Sequence, residues 1–263
     1  MCTNYTPSSR DRLQAARLGV SHLPPQDWPL EAYPLYKAPL VLGLTSAAGP
    51  LAREVVVAQF GLSPRWSQDA AHATRLARHM VNARSETVAS KPSFRAPWRQ
   101  RQWALVPMDN FYEPCWESGA GVRWRFSAAD SNLLTAAALW ERWLRPQDGV
   151  VVTSFSLLTI NADSHPLMRR MHRPGEEKRM LALVPAALRD DWLSATNDEA
   201  YALLQPMPAD QLVASAAPRP ARPQSPLVSS NKATSALSAH SKLVSDTSQN
   251  APIAIVPHNL RLF

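Results

Sequence analysis

Twenty-four prolines against eight glycines constrain this chain more than any other feature. Each proline fixes φ near about −65° and removes a backbone donor, so helix interiors and central ladders tolerate it poorly. The body is therefore expected to hold many short elements joined by proline-set turns, with no long helix. Hydrophobic residues make up 45% of the 263, enough for a sizeable core in one large domain or a domain with a tail.

A short helix is expected over 12–18, then an extended passage through Pro24, Pro25, Pro29, Pro34 and Pro39. Residues 39–42 and 53–60 read as strands, the second rich in β-branched side chains (Val55, Val56, Val57). Segment 70–80 has helical composition. Further strands are expected over 103–108, 122–126, 133–139, 150–160 and 180–184, and helical stretches over 185–193 and 200–204. Many strands with few helices point to an α+β, mainly β fold. Composition shifts near Pro206, and from Ala214 onward Ala, Ser, Pro, Thr and Asn dominate. Such a segment has too little apolar surface to offset its ordering entropy, so a domain over 2–215 and a disordered tail over 216–263 are expected.

The charge balance, 28 Lys+Arg against 21 Asp+Glu, gives +7 and a pI near 9.8, which permits a polyanionic partner without assigning one. Two cysteines, Cys2 and Cys115, exclude a disulfide framework and a four-cysteine zinc site. The sequence offers no signal-peptide pattern after Met1 and no apolar run of the roughly 20 residues a membrane span needs. A cytoplasmic compartment with no membrane partner is expected.

Four clusters carry chemistry. Once Met1 is trimmed, Cys2 presents an α-amine and a thiol on adjacent carbons, with ordinary pKa values of about 7.7–8.0 and 8.5. That pair condenses with an aldehyde to an imine and then closes a thiazolidine ring; alone, a cysteine at position 2 is more often a matter of chance. In the run 81–87, Asn82, Arg84 and Glu86 share one face if the backbone is extended, and Arg84 suits a phosphate or carboxylate; the alternative is a solvated polar edge. In the run 109–116, Glu113 stands between aromatics at a strand end, a candidate proton shuttle or else an ordinary ion-paired carboxylate. The run 165–180 is the densest basic stretch, with His172 as candidate acid and His165 as second choice, and with Arg170 and Arg179 as candidate phosphate contacts. A flexible solvated loop is the alternative there. No metal-binding spacing is present. Trp66, after a Pro-Arg turn, is a candidate base-stacking platform. Cys115 reads as a small buried hydrophobe.

The order Met-Cys, Asn-Ala-Arg-Ser-Glu-Thr, Phe-Tyr-Glu, then His with Arg-Met resembles the SRAP family (SOS-response-associated peptidase, abasic-site processing proteins). Phe94, Pro97 and Trp98 after the second block, and Ala137-Ala138-Leu139-Trp140 after the third, support it, and the resemblance covers about residues 2–216. It implies a pseudo-barrel with peripheral helices around a basic cleft for single-stranded DNA, and no cofactor. Cys2 would be the crosslinking nucleophile in the DNA damage (SOS) response, Asn82 would position sugar and N-terminus, and Arg84 would hold a flanking phosphate. Glu113 would relay protons and His172 would act as acid, with the same groups serving N-terminal autoprocessing or lyase chemistry. A monomer acting on abasic single-stranded DNA is expected, with replication-fork proteins left open as partners. Two alternatives are an N-terminal-nucleophile peptidase and a non-catalytic single-strand binder. Where the family carries Gly-Arg after Met-Cys, this chain has Thr3-Asn4, and the family's compact His-x-Arg-Met-Pro is expanded here between His172 and Met180.

Overall fold

The computed structural model describes residues 2–16, 18–20, 22–44 and 52–219. In chain order its elements are β1 (Tyr5–Pro7), α1 (Arg10–Ala15), β2 (Lys37–Leu44), β3 (Ala52–Phe60), α2 (Ala70–Ala77), β4 (Asn82–Arg84) and α3 (Arg95–Arg99). There follow β5 (Trp103–Cys115), β6 (Val122–Ala128), β7 (Leu134–Leu144), β8 (Val151–Asn161), β9 (Arg179–Leu181), α4 (Arg189–Ser194), α5 (Asn197–Leu203) and β10 (Leu212–Ala216). The expected tail falls, from residue 220, outside the described residues. No helix among those described is long and apolar enough to cross a membrane.

The helices are as short as the proline count implies, the longest being the eight residues of α2. The strands are not: β5 runs for 13 residues, well past the expected end at Met108. Pro107 and Pro114 lie inside it, where only their carbonyls are used, accepting from the Ser8 and His172 amides at 3.3 and 2.7 Å. The strand expected over 180–184 is instead the short β9, and the helix expected over 185–193 begins as a 3₁₀ turn over Ala186–Leu188. Strands β1 and β10 and helix α3 carry too few residues to show a period, and sequence reading passes over them.

Five strands close a barrel. β5 pairs with β2, β2 with β3, β3 with β8, β8 with β7, and β7 returns to β5; only the β3–β8 contact in this ring is parallel. Ala136, Ala137 and Ala138 of β7 are fully buried, as expected of a strand covered on both faces, inside by the barrel and outside by helices. On the outer face, Trp192 of α4 is fully buried and its indole donates to the Ala104 carbonyl at 2.9 Å. Truncating a buried side chain of this size typically costs about 3–5 kcal/mol.

Two strands outlast the barrel and build what lies beyond it. β5 changes partners along its length, from β2 and β7 to β1 (Tyr5↔Phe111) and then β6 (Cys115↔Val122). β8 does the same, passing from β3 and β7 to β4 (Asn82↔Leu157) and β9 (Thr159↔Leu181). Gly61 makes the turn between β3 and α2 possible: its φ is +109°, and a Cβ there would run into the Ala77 carbonyl. Its amide bonds to Phe155 at 2.9 Å, and the Leu62 amide then bonds to Met80, which sets the entry of β4.

Candidate active site

The N-terminal segment is tied down from several sides. The Tyr112 amide donates to the Asn4 carbonyl at 3.2 Å, extending the β1–β5 ladder toward residue 2. Asn4, standing where the family pattern has a cation, is 6% exposed and works as a tether. Its amide group donates to Glu31 (3.3 Å) and the Ala32 carbonyl (3.2 Å) and accepts from Arg123 Nη2 (2.6 Å). Arg123 also pairs with Glu31 at 2.9 Å and lies 3.2 Å over the Tyr112 ring. Sequence reading did not single out Arg123; the only signal was its place in the alternation Arg123-Trp124-Arg125.

Cys2 is fully buried. Its carbonyl accepts from Asn82 Nδ2 at 2.7 Å, and its thiol donates to the Asn4 carbonyl at 3.4 Å. Burial, reinforced by the nearby charge of Glu113, pushes the thiol up to about 12. Asn82 is presented by β4, whose parallel pairing with β8 points Asn82 and Arg84 to one face. Glu86, expected on that face too, lies in the turn after the strand.

Glu113 and His172 meet. Glu113 is 2% exposed, and its Oε2 lies 2.9 Å from His172 Nε2. The ring is set by the backbone: Met171 bridges Cys115, and the His172 amide donates to Pro114 at 2.7 Å with φ at 61°. His165 is placed differently. Its Nδ1 accepts the Leu167 and Met168 amides at 3.2 and 3.1 Å, which leaves the proton on Nε2, 2.9 Å from the Met207 carbonyl. Both ring nitrogens are consumed in holding the loop.

The expected phosphate contacts divide. Arg84 is 49% exposed on its side chain and pairs with Glu177 at 2.7 Å. Arg170 is held by both oxygens of Glu117, each at 2.7 Å, and lies 4.9 Å over the Trp124 ring. Arg179 corrects the sequence reading. Its side chain is 2% exposed and committed to Glu86 (2.9 Å), Glu177 (2.6 Å) and the Thr159 carbonyl (2.7 Å), so it braces the site from within and is not an exposed rim cation. Trp66 is 47% exposed, with its edge toward His72. Its neighbour Ser67 accepts from Trp143, which is in register with Val152, whereas Asn82 is in register with Leu157. Five residues of β8 separate the two, roughly 16 Å at the rise of a strand.

Arg84, His172, Glu176, Glu177 and Arg179 line a cleft of about 320 Å³. Among the described residues no group of His, Cys, Asp and Glu is placed to hold a metal. The arrangement offers a nucleophile anchored by an amide, a carboxylate–imidazole pair beside it to move protons, and a cationic rim.

A family model described as SOS response associated peptidase (SRAP) matches residues 1–219. The abasic site processing protein YoqW of Bacillus subtilis is 31% identical over 162 residues, 59% of this chain and 66% of that protein. The matched stretch thus falls just short of two thirds of that relative. The abasic site processing protein HMCES of Pongo abelii is 25% identical over 138 residues, 42% of this chain and 38% of that one. A crystal structure of a protein from Bordetella bronchiseptica superposes with a TM-score of 0.73 at 33% identity, covering 82% of this chain and 99% of the other. One from Bacteroides thetaiotaomicron gives 0.68 at 22% identity, covering 82% and 91%, a likeness of fold alone.

Proposed function

The chain belongs to the SOS response associated peptidase family, and from that premise we propose that it processes abasic sites in single-stranded DNA by capturing the sugar aldehyde covalently on Cys2. The observation that carries this reading is the meeting at Cys2 of the Asn82 amide with the buried Glu113–His172 pair.

The reaction requires loss of Met1, which frees the Cys2 amine; the same Glu113 and His172 serve that hydrolysis. His172 then gives a proton to the ring oxygen of the abasic sugar as the C1–O bond breaks, and the C1 hydroxyl returns a proton to the imidazole as the aldehyde forms. The amine attacks the aldehyde carbon, Glu113 passes the two protons that the nitrogen sheds to the carbinol oxygen, and that oxygen leaves as water to give an imine. The thiol adds next: sulfur bonds to the imine carbon, the C=N π pair takes a proton, and a thiazolidine closes. The sum is one water lost per crosslink. The amine attacks first because only the imine it forms presents the carbon to which sulfur adds to close the ring. Asn82 fixes the residue by its carbonyl and so places amine and thiol together.

Arg84 and Arg170 take phosphates on either side of the sugar, and Trp66 stacks a base some nucleotides away. Mixing the protein with an abasic single-stranded oligonucleotide gives a slow band on a denaturing gel, and Cys2→Ala loses it. An undiminished band in that variant overturns the reading, and cleavage of a peptide substrate without DNA favours a peptidase instead.

A further inference from the structure

Resting on the reading that Arg84 receives a phosphate beside the captured sugar, we propose that Glu177 is an internal occupant of that phosphate site, which the nucleic acid must displace. Both carboxylate oxygens of Glu177 are engaged: Oε2 accepts from Arg84 Nη1 at 2.7 Å, and Oε1 from Arg179 Nη1 at 2.6 Å and Asn161 Nδ2 at 3.4 Å. Two guanidinium groups and an amide converge on it, the donor set that recognises a phosphate. Arg179 is fixed by Glu86 and Thr159 whatever happens to Glu177, whereas Arg84 is half-exposed and Glu177 is its one ion-pair partner among the described residues.

The carboxylate reaches this place because of the longer segment between His172 and Met180. A turn at Gly175 (φ +80°) and the Glu176 amide bond to the Arg173 carbonyl (3.2 Å) reverse the chain. Lys178 then pins it, its amide on Asp163 at 2.8 Å and its ammonium on the Arg173 carbonyl at 2.7 Å. Between these fixed points Glu177 faces back across the cleft that His172 also lines.

The consequence is selectivity. An undamaged strand must exchange one anion for another at Arg84 and releases no counterion there, so Arg84 contributes little to loose binding. At an abasic site, capture on Cys2 holds the neighbouring phosphate against Arg84 and the exchange becomes favourable by proximity.

The test is a double-mutant cycle on the full chain, with anisotropy of an undamaged single-stranded oligonucleotide read across a salt series. Glu177→Gln tightens binding by about two- to fivefold, the range set by an exposed ion pair. It also steepens the log K against log salt slope by about 0.7, one phosphate contact on a single strand. Both gains disappear in the Arg84→Ala background. A gain that persists without Arg84 reflects net charge and overturns the proposal, as does unchanged binding in Glu177→Gln when Arg84→Ala slows capture of an abasic oligonucleotide. On the undamaged strand Arg84→Ala alone changes little; if it also leaves the capture of an abasic oligonucleotide unaltered, the phosphate role of Arg84 fails first, and the two failures are thereby told apart. Glu177→Asp, one methylene shorter and of unchanged charge, follows the same pattern in smaller measure, and its cycle decides the matter should the glutamine variant not fold.

Discussion

His172 holds a backbone φ of 61°, a region that costs a side chain of this kind about 1–3 kcal/mol and persists only where the surroundings enforce it. Here the Pro114 carbonyl fixes its amide and Glu113 receives its ring. His165, seven positions earlier, has an ordinary backbone and spends its ring on two amides and a carbonyl. The Glu113–His172 pair and His165 therefore separate on different readouts. Glu113→Gln slows crosslinking by about 10²–10⁴, the usual loss when an acid–base group is removed. His165→Ala lowers stability by about 1–3 kcal/mol, since buried amides lose their acceptor, yet leaves the crosslinking rate of the folded protein within a few-fold. Single-turnover gels beside thermal melts read both effects, and a rate collapse in His165→Ala at a temperature where the variant is folded would reverse the assignment.

At the level of elements, the site depends on strands that continue beyond the barrel, with Arg179 bracing one of them. Burial raises the Glu86 carboxylate, but hydrogen bonds from Arg179 outweigh it and hold the group below its usual 4.5; the same balance holds Glu177 down. Depressed carboxylates contribute stability that is present above about pH 4.5 and fades as pH falls through their folded-state values. The gap in melting temperature between wild type and Glu86→Gln is therefore widest near neutrality and closes on acidification toward pH 3. A gap that stays constant or widens in acid would show that the ion pair is not its source. This brace was not legible in the sequence, because Arg179 takes its carboxylates from positions 86 and 177, and a basic run says nothing of partners ninety residues away. The strands β2, β3, β7 and β8 were legible, since β-branched and apolar runs of eight or more residues impose their own period. The second half of β5 was not, because polar Asp109 and Asn110 follow Met108 and interrupt the apolar run, and Pro114 lies further on, where the structure uses only its carbonyl. Cys2, Asn82, Glu113 and His172 stood out by residue type and order; that Asn4 and Arg123 tether the first of them required the fold.

For the molecule as a whole, a +7 chain concentrates several guanidinium groups over aromatic rings near one end of β5 and β6. Arg123 lies over Tyr112, Arg170 over Trp124 and Arg173 over Trp116, each within 5 Å of the ring centroid. On the proposed reading, such pairs would offer a single strand phosphate attraction beside aromatic surface. Two of the proposed phosphate contacts are already paired with carboxylates, Arg84 with Glu177 and Arg170 with Glu117, so the surface is less greedy for polyanions than its net charge implies. On the proposed reading, affinity for undamaged DNA is expected to be modest, with specificity left to the chemistry at Cys2. The most direct measurement of that chemistry is the intact mass of the protein after reaction with an abasic oligonucleotide, followed by mapping of the joined peptide. The account predicts a species equal to the chain without Met1 plus the oligonucleotide less one water, with the linkage on Cys2; a product that retains Met1, or one joined through a lysine, would contradict it.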